Sequence, residues 1–538
     1  MLLYFKGECR LNKSWLVTRK KHLKQIKQQV EVHLGGLDPE VHSYQTAFQR
    51  EFYGDWNESS FQRLYNTVLQ SNLVFGADFH AFSQSQRTHL RILREIANKK
   101  DIILCLECVQ YKYQKYIDQY LAGKISEQKF LKQVQWAEEW GFPWSHFKQL
   151  FEFAKNNNIK LRAINLHIPD MDESGLHKRD QFVADKINEL QSEFPDHLLY
   201  VIFGEMHLAK SHLPSFFKKQ KPVVIFQNSE RLYFKLAEHS RESTVDVMES
   251  HRNRFCVMTS PPWVQWQSYL IFLEENVDYS LDEEEDESDI DVVEYMRQQM
   301  QLINEDLGLN IAIDDVKVVT PDLELFEWLE DLSEAQNKTL AYLVRTDRSF
   351  YLPEKKIVYL SRISTNHTAE MCGAVVQAKL SARKKFLWQM PDMYIGQIWV
   401  EALSFFVSKL INHKRKASHI HDLKRKLAVM HPKDGGREVL LHALDQRLGE
   451  ALYKLGHQQT QNRIQLKNPV LYYESARIVG QMLGDAIFNS YRVGQLSQQE
   501  INSYLSLNIF KKDFYASYYK LICMLGNDDN KSPFDGLV

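Results

Sequence analysis

Five short runs of apolar and β-branched residues punctuate the first half of the chain, at 72–76, 102–106, 160–164, 199–203 and 222–226. The run 199–203 is continuously apolar and 72–76, 102–106 and 222–226 nearly so, which predicts strands buried on both faces, while 160–164 carries Lys160 and Arg162. Between the runs the apolar spacing changes to that of a helix. Leu90, Leu93, Ile96 and Ala97 follow Ser83 and Ser85, either of which can cap a helix. Ser59 or Ser60 can cap an earlier helix to about Gln70, and Pro143 suits the start of another that ends near Asn156. A further helix is expected over 176–193. Strands alternating with helices predict an α/β fold, a parallel sheet of about five strands flanked by helices.

Each run ends in a polar group. The first leads to Asp78 and His80, the second to Glu107, the third to Asn165 and His167. Gly204 breaks the fourth, and Glu205 and His207 follow it; the fifth ends at Gln227. Residues two apart on an extended chain point the same way, so an acid and an imidazole leave the sheet side by side at both 78/80 and 205/207. Ligands of open α/β sheets bind beyond the carboxyl ends of the strands, and a site is expected there.

The second and third runs are separated by an aromatic-rich helical insertion, 111–140, that begins directly after Glu107. It is the obvious lid, and Tyr111 and Tyr113 are its nearest tyrosines. Upstream, Leu23, Ile26, Val30 and Leu34 keep helical spacing among Lys20, Lys21, Lys24 and Lys27. That pattern predicts a basic amphipathic helix over 18–34, packed on the domain with its lysines in solvent. Beyond residue 275 comes the acidic run Asp282 to Glu287 with Asp289 and Asp291, which reads as a solvated linker. The organisation expected is an N-terminal segment 1–49, an α/β domain 50–275, a linker 276–291 and a mainly helical domain 292–538. In that last part 340–345 and 356–361 read as paired short strands, and 367–386, 396–428, 437–456, 470–493 and 509–525 as helices. His367 and Glu370 lie three apart on one of them, but no second such pair accompanies them, so no metal site is assigned there.

Composition adds mainly exclusions. The chain has 538 residues, 44% hydrophobic and 25% charged, enough for two or three domains. A formal net charge of −2 gives no argument for a nucleic-acid partner or an anionic membrane. Six cysteines are too few for a disulfide framework, and Cys105 and Cys108 sit along a strand, where a spacing of three points them to opposite faces. No run approaches the ~20 apolar residues of a membrane span, and no signal peptide or lipidated cysteine is read at the start. A cytoplasmic protein is the expectation.

His80, Glu107 and His207 compose a two-histidine, one-carboxylate set, which leaves open positions on a divalent metal. Asp78 and Glu205 beside the imidazoles can orient them or act as general bases. No serine stands in a nucleophile elbow, and no glycine loop cradles phosphate. At these residues the chain resembles the haem-binding-uptake, Tiki-like superfamily, and within it the bacterial ChaN-like proteins; erythromycin esterases are related. Gly204-Glu205-Met206-His207 with Pro214 downstream matches the second G-x-x-H element of that group, Glu107 its intervening glutamate, and Arg179-Asp180 a further element. Ala77-Asp78-Phe79-His80 is the first element, with alanine where glycine is usual. The resemblance covers roughly residues 50 to 272. It implies a pocket for haem or another metal-centred small molecule, lined by His80, Glu107 and His207, with Tyr111 or Tyr113 as further axial ligands to iron. The alternatives are a metal-dependent peptidase or esterase with Glu205 or Asp78 as its catalytic carboxylate, and a catalytically silent scaffold whose helical half binds a protein partner.

Overall fold

The uninterrupted apolar runs become the middle of an eight-stranded sheet. In the computed structural model, which describes residues 13–35, 39–166, 175–251, 253–276, 292–321, 332–388, 393–431, 434–457 and 469–525, the strands are β1 (Trp56–Ser59), β2 (Leu73–Asp78), β3 (Ile102–Gln110), β4 (Lys160–Asn165), β5 (Leu198–Gly204), β6 (Val223–Gln227), β7 (Val247–Ser250) and β8 (Arg254–Val257). Their order is β1-β7-β8-β6-β2-β5-β3-β4. From β8 to β4 all neighbours are parallel, and β7 and β1 add an antiparallel edge. All five expected strands are present, and three short ones complete the sheet. Every residue of β2, β3, β5 and β6 is buried, as the lack of alternation required.

The chain lays down β2, moves outward to β3 and β4, returns to insert β5 between β2 and β3, and then continues on the other side of β2 through β6 and β8. Such a reversal opens a crevice beyond the carboxyl ends of the central strands. His167 and the turn after it lie outside the described residues, as does the acidic linker beyond Asn276. Cys105 and Cys108 are both buried free thiols, and burial pushes Cys105 up to about 12 and Cys108 well above its usual range. Neither supplies a thiolate.

The structure divides into two compact units, Arg19–Val277 and Asp278–Val538 with Met1–Thr18. The helix Lys13–His33 buries Leu23, Ile26 and Val30, three of the four positions its apolar spacing marked. Two of its lysines make ion pairs at the surface. Lys20 reaches Glu238 at 3.3 Å and Lys27 reaches Glu230 at 3.2 Å.

The second unit is mainly helical around a three-stranded sheet of β9 (Lys317–Val319), β10 (Phe350–Leu352) and β11 (Ile357–Tyr359), ordered β10-β11-β9. Here one expectation is corrected. Residues 340–345 are the end of a helix, Glu334–Arg345, started by a capping box between Ser333 and Gln336, and the partner of β11 is β10. The expected helix 396–428 is two, Tyr394–Ile411 and Ile420–Val429. Asn412 leaves helical geometry, and Arg415 turns back to pair with Glu370. Helices Tyr394–Ile411 and Pro469–Arg492 approach closely because Gly480 and Gly484 face the contact. A Cβ on Gly484 would stand 2.3 Å from the Ala402 carbonyl oxygen. Among the described helices, Tyr394–Ile411 is long and apolar enough to cross a membrane by composition, and 89% of it is buried in the fold.

Candidate functional site

Asp78 closes β2, and the chain turns so that His80 folds back on it. His80 Nδ1 donates to Asp78 Oδ2 at 2.9 Å, while Gln86 Nε2 donates to the other carboxylate oxygen. A carboxylate on Nδ1 fixes the ring and leaves Nε2 for a ligand. Trp140 and Phe142, from the far end of the aromatic insertion, flank the imidazole with ring centroids at 4.5 and 5.0 Å. Burial works against a proton on this ring, but the hydrogen bond to Asp78 and the charges of Glu107 and Asp78 outweigh it and raise its pKa above the usual 6.5.

Glu107 lies on β3 with its side chain buried. One carboxylate oxygen accepts from Arg179 at 2.5 Å, and the other from the Gly204 backbone N–H at 2.6 Å. His80 Nε2 is 3.8 Å from that second oxygen. Both oxygens are therefore spoken for by cationic or backbone donors, and the carboxylate braces the site from below.

His207, in the short turn Glu205–Leu208 after β5, has its own carboxylate. Its Nδ1 donates to Asp180 Oδ1 at 2.6 Å, and Tyr44 donates to Asp180 Oδ2 at 3.0 Å. Tyr44 also stacks on His212 at 3.7 Å and meets His207 edge-on at 5.3 Å. The orienting acid of His207 is thus Asp180, on the helix Gly175–Glu193, and not the adjacent Glu205. Glu205 lines the same cavity and has no hydrogen-bond partner among the described residues. Burial pushes its pKa up to about 8, against the pull of His80. Burial thus favours its protonated form, in which it can donate a hydrogen bond.

Gly204 is where these groups converge. A Cβ there would sit 3.3 Å from Glu107 Oε2, 3.4 Å from His80 Nε2 and 3.5 Å from His207 Cδ2. Above it opens a cavity of about 860 Å³, walled by Tyr44, Phe48, Phe142, Phe234, Trp266 and Tyr269. That volume lies within the ~300–1,000 Å³ typical of pockets that enclose small organic ligands. Asp78, His80, Glu107, Glu205 and His207 all line it, as does Gln227 at the end of β6. Ala77 does not; its carbonyl accepts from His89 and Gln227 on the far side.

Tyr111 and Tyr113 are placed outside the cavity lining. β3 runs three residues past Glu107, which carries both tyrosines beyond the crevice. Tyr111 is 45% exposed beside Phe182 and Lys186, and Tyr113 donates to Gln135 and Glu139. Residues missing from the sequence reading include Tyr44 and Phe48, in the segment 1–49 set apart from the α/β domain. Their signal was the amphipathic spacing Val41, Tyr44, Phe48 on the helix Pro39–Arg50. Asp180 was noted only through resemblance, since nothing in its local pattern ties it to His207.

Among the described residues no group of three or more His, Cys, Asp or Glu side chains is arranged to hold a metal ion. Arg179 already neutralises Glu107, which leaves the two imidazoles as the open donors of the set. Two oriented imidazoles beside a large aromatic cavity do suit a planar ligand that brings its own metal and needs only axial donors.

Residues 64–173 match the family described as haem-binding uptake, Tiki superfamily, ChaN. That segment takes in Asp78, His80 and Glu107, while Asp180 and His207 follow it and Tyr44 precedes it. Among solved structures, one titled "Cofacial heme binding to ChaN of Campylobacter jejuni" is similar, at 12% identity over 32% of this chain and 87% of that one. The TM-score is 0.24, and a superposition at that level says nothing about the site. No curated protein matches the chain. On that match, residues 64–173 are similar to the ChaN-like proteins of the haem-binding-uptake, Tiki superfamily.

Proposed function

We propose that the α/β unit binds haem in the cavity beyond β2, β3 and β5, with His80 Nε2 as the principal axial donor and His207 as the second. The observation that carries this reading is the pair of imidazoles, each fixed through Nδ1 by a buried carboxylate, at the floor of an aromatic cavity of about 860 Å³. The family match supports the same ligand. Aromatic walls suit a porphyrin face. Arg231 and Lys235, which also line the cavity, supply positive charge for carboxylate substituents at its edge. Haem brings the iron and its ligand-exchange chemistry; the chain orients the donors and excludes water.

A hemin titration followed at the Soret band tests the proposal. Saturable binding with one shifted band is expected for the wild type. His80→Ala should shift the band and weaken binding, and His207→Gln should alter the spectrum with secondary structure unchanged by circular dichroism. Wild-type spectra from both variants would overturn the assignment. A metal-dependent hydrolase is not favoured by any specific observation: among the described residues no group of three or more His, Cys, Asp or Glu side chains is arranged to hold a metal ion, and Arg179 already pairs with Glu107.

A further inference from the structure

The second unit holds a polar cavity that haem binding leaves unexplained. It is small, about 60 Å³, and it lies between β10 and the helices Thr365–Leu380, Tyr394–Ile411 and Pro469–Arg492. Buried charge surrounds it. Arg348 is 7% exposed and donates to Glu474 at 2.8 Å and to Glu401 at 3.2 Å. Glu370 is held by Arg415, and Arg383 donates to Gln377 at 2.9 Å and to the Lys385 carbonyl at 3.0 Å. Each of these three carboxylates therefore already has its cation.

Two groups in the wall do not have partners. Arg477 lines the cavity, and among the described residues it has no hydrogen bond or ion pair. Ser404 lines it too; it is 3% exposed and its hydroxyl is a buried polar atom with no hydrogen-bond partner. An orphaned buried hydroxyl is costly, and native folds rarely leave one without a ligand or water. His367 completes the wall. Its Nδ1 faces Ser349 Oγ at 3.0 Å, and burial, together with the charges of Arg415, Arg477 and Arg362, holds it near 4, so it is neutral at physiological pH.

Arg348, Arg383 and Arg477 line the cavity with Asp347, Glu370 and Glu401; Asp347 pairs with the exposed Arg362, Glu370 with Arg415 and Glu401 with Arg348. Among the described residues that leaves no carboxylate at ion-pair distance for Arg383, which donates to Gln377 and the Lys385 carbonyl instead, or for Arg477, which has no such substitute. Burial and the like charge of Arg348 lower the pKa of Arg477, while Glu370, Glu401 and Glu474 offset this only in part. A guanidinium fork, a hydroxyl and a neutral imidazole are donors matched to an oxyanion. The volume admits a group of a few heavy atoms. We propose that this cavity is a binding site for a small oxyanion, a phosphate or carboxylate group, held by Arg477 and Ser404. Nothing in this assignment depends on the α/β unit or its ligand.

The test uses the full-length protein. Thermal unfolding and isothermal calorimetry are followed with phosphate, acetate and chloride at matched ionic strength. Phosphate or acetate should bind saturably and raise the midpoint beyond chloride, and the stronger of the two identifies the group. Arg477→Gln should weaken that binding roughly tenfold or more, the effect of losing a charge-assisted hydrogen bond, and Ser404→Ala severalfold. Arg477→Lys, which keeps the charge but not the fork, should fall between and guards against a variant that merely unfolds. Hemin spectra should be unchanged in all three. The proposal is overturned if neither oxyanion exceeds chloride, or if Arg477→Gln and Ser404→Ala respond as the wild type does.

Discussion

Glu107 is the residue whose role differs most between sequence and structure, and its pairing can be measured. Its side chain is 5% exposed against 19% for Arg179, and the two meet at 2.5 Å. Removing one partner of a buried pair leaves an uncompensated charge and costs about 3–5 kcal/mol. Arg179 is partly solvated, so Arg179→Met belongs at about 3 kcal/mol, the lower end. Glu107→Gln keeps an oxygen for the Gly204 N–H and leaves Arg179 free to turn to water, for about 1–2 kcal/mol. The double variant buries no charge and should lose about 2 kcal/mol, well short of the sum. A coupling of about 2 kcal/mol is expected. Because the chain has two units, global unfolding would mix their transitions. Hydrogen exchange at the amides of β5, Gly204 among them, reads the α/β unit alone. A loss under about 1 kcal/mol in Arg179→Met, or additivity in the double variant, would refute the brace and return Glu107 to the list of free ligands.

Gly204→Ala places a methyl among three site atoms at 3.3 to 3.5 Å, in a backbone conformation that alanine accepts (φ −50°, ψ 131°). Stability should change by less than about 1 kcal/mol while hemin affinity falls at least roughly tenfold; unchanged affinity would show that the ligand approaches elsewhere. Hemin binding should strengthen as pH rises through the His80 pKa, above the usual 6.5, because iron takes the neutral imidazole and the ring must first release its proton. A binding curve with its midpoint below pH 6 counts against His80. Glu205 sets a stability slope of its own. Between its ordinary 4.5 and about 8 the folded state keeps a proton that the unfolded state has lost, so stability falls as pH rises, and Glu205→Gln should flatten that fall in denaturant midpoints. A glutamate-specific protease should cut within the acidic run 282–287 and release an N-terminal fragment that still binds hemin; a fragment that cannot fold would place the domain boundary elsewhere.

The central strands were legible because burial on both faces leaves an unbroken apolar signature. The edge strands were not, since β1 and β7 are four residues each and carry polar positions at their rims. Residues 340–345 misled because a buried helical end and a short strand look alike over six residues, and the deciding signal, the capping box at Ser333, lies seven residues upstream. The site was half legible for a related reason. Asp78 and His80 are two apart on one strand end, and local geometry alone brings them together. The same logic assigned Glu205 to His207, but there Gly204 ends the strand and the next residues form a 3-10 turn, which breaks the two-residue alignment.

What the chain places around His207 comes from far away in sequence. Asp180 is 27 residues upstream, and Tyr44, which donates to it, another 136. No periodicity links them, because each answers to its own helix. Asp180 has to be buried on the helix that covers β5, and Tyr44 on an N-terminal helix whose apolar face covers both. A carboxyl group at 0% exposure is costly unless its oxygens are satisfied, and here His207 takes one and Tyr44 the other. The helix Pro39–Arg50 is therefore part of the site and not a leader to it. Its removal would strand Asp180 and unfix the second imidazole while leaving the Asp78–His80 pair intact. The two histidines are held by independent supports, one local to β2 and one assembled from three separate segments, and the second is the one that folding of the whole unit must complete.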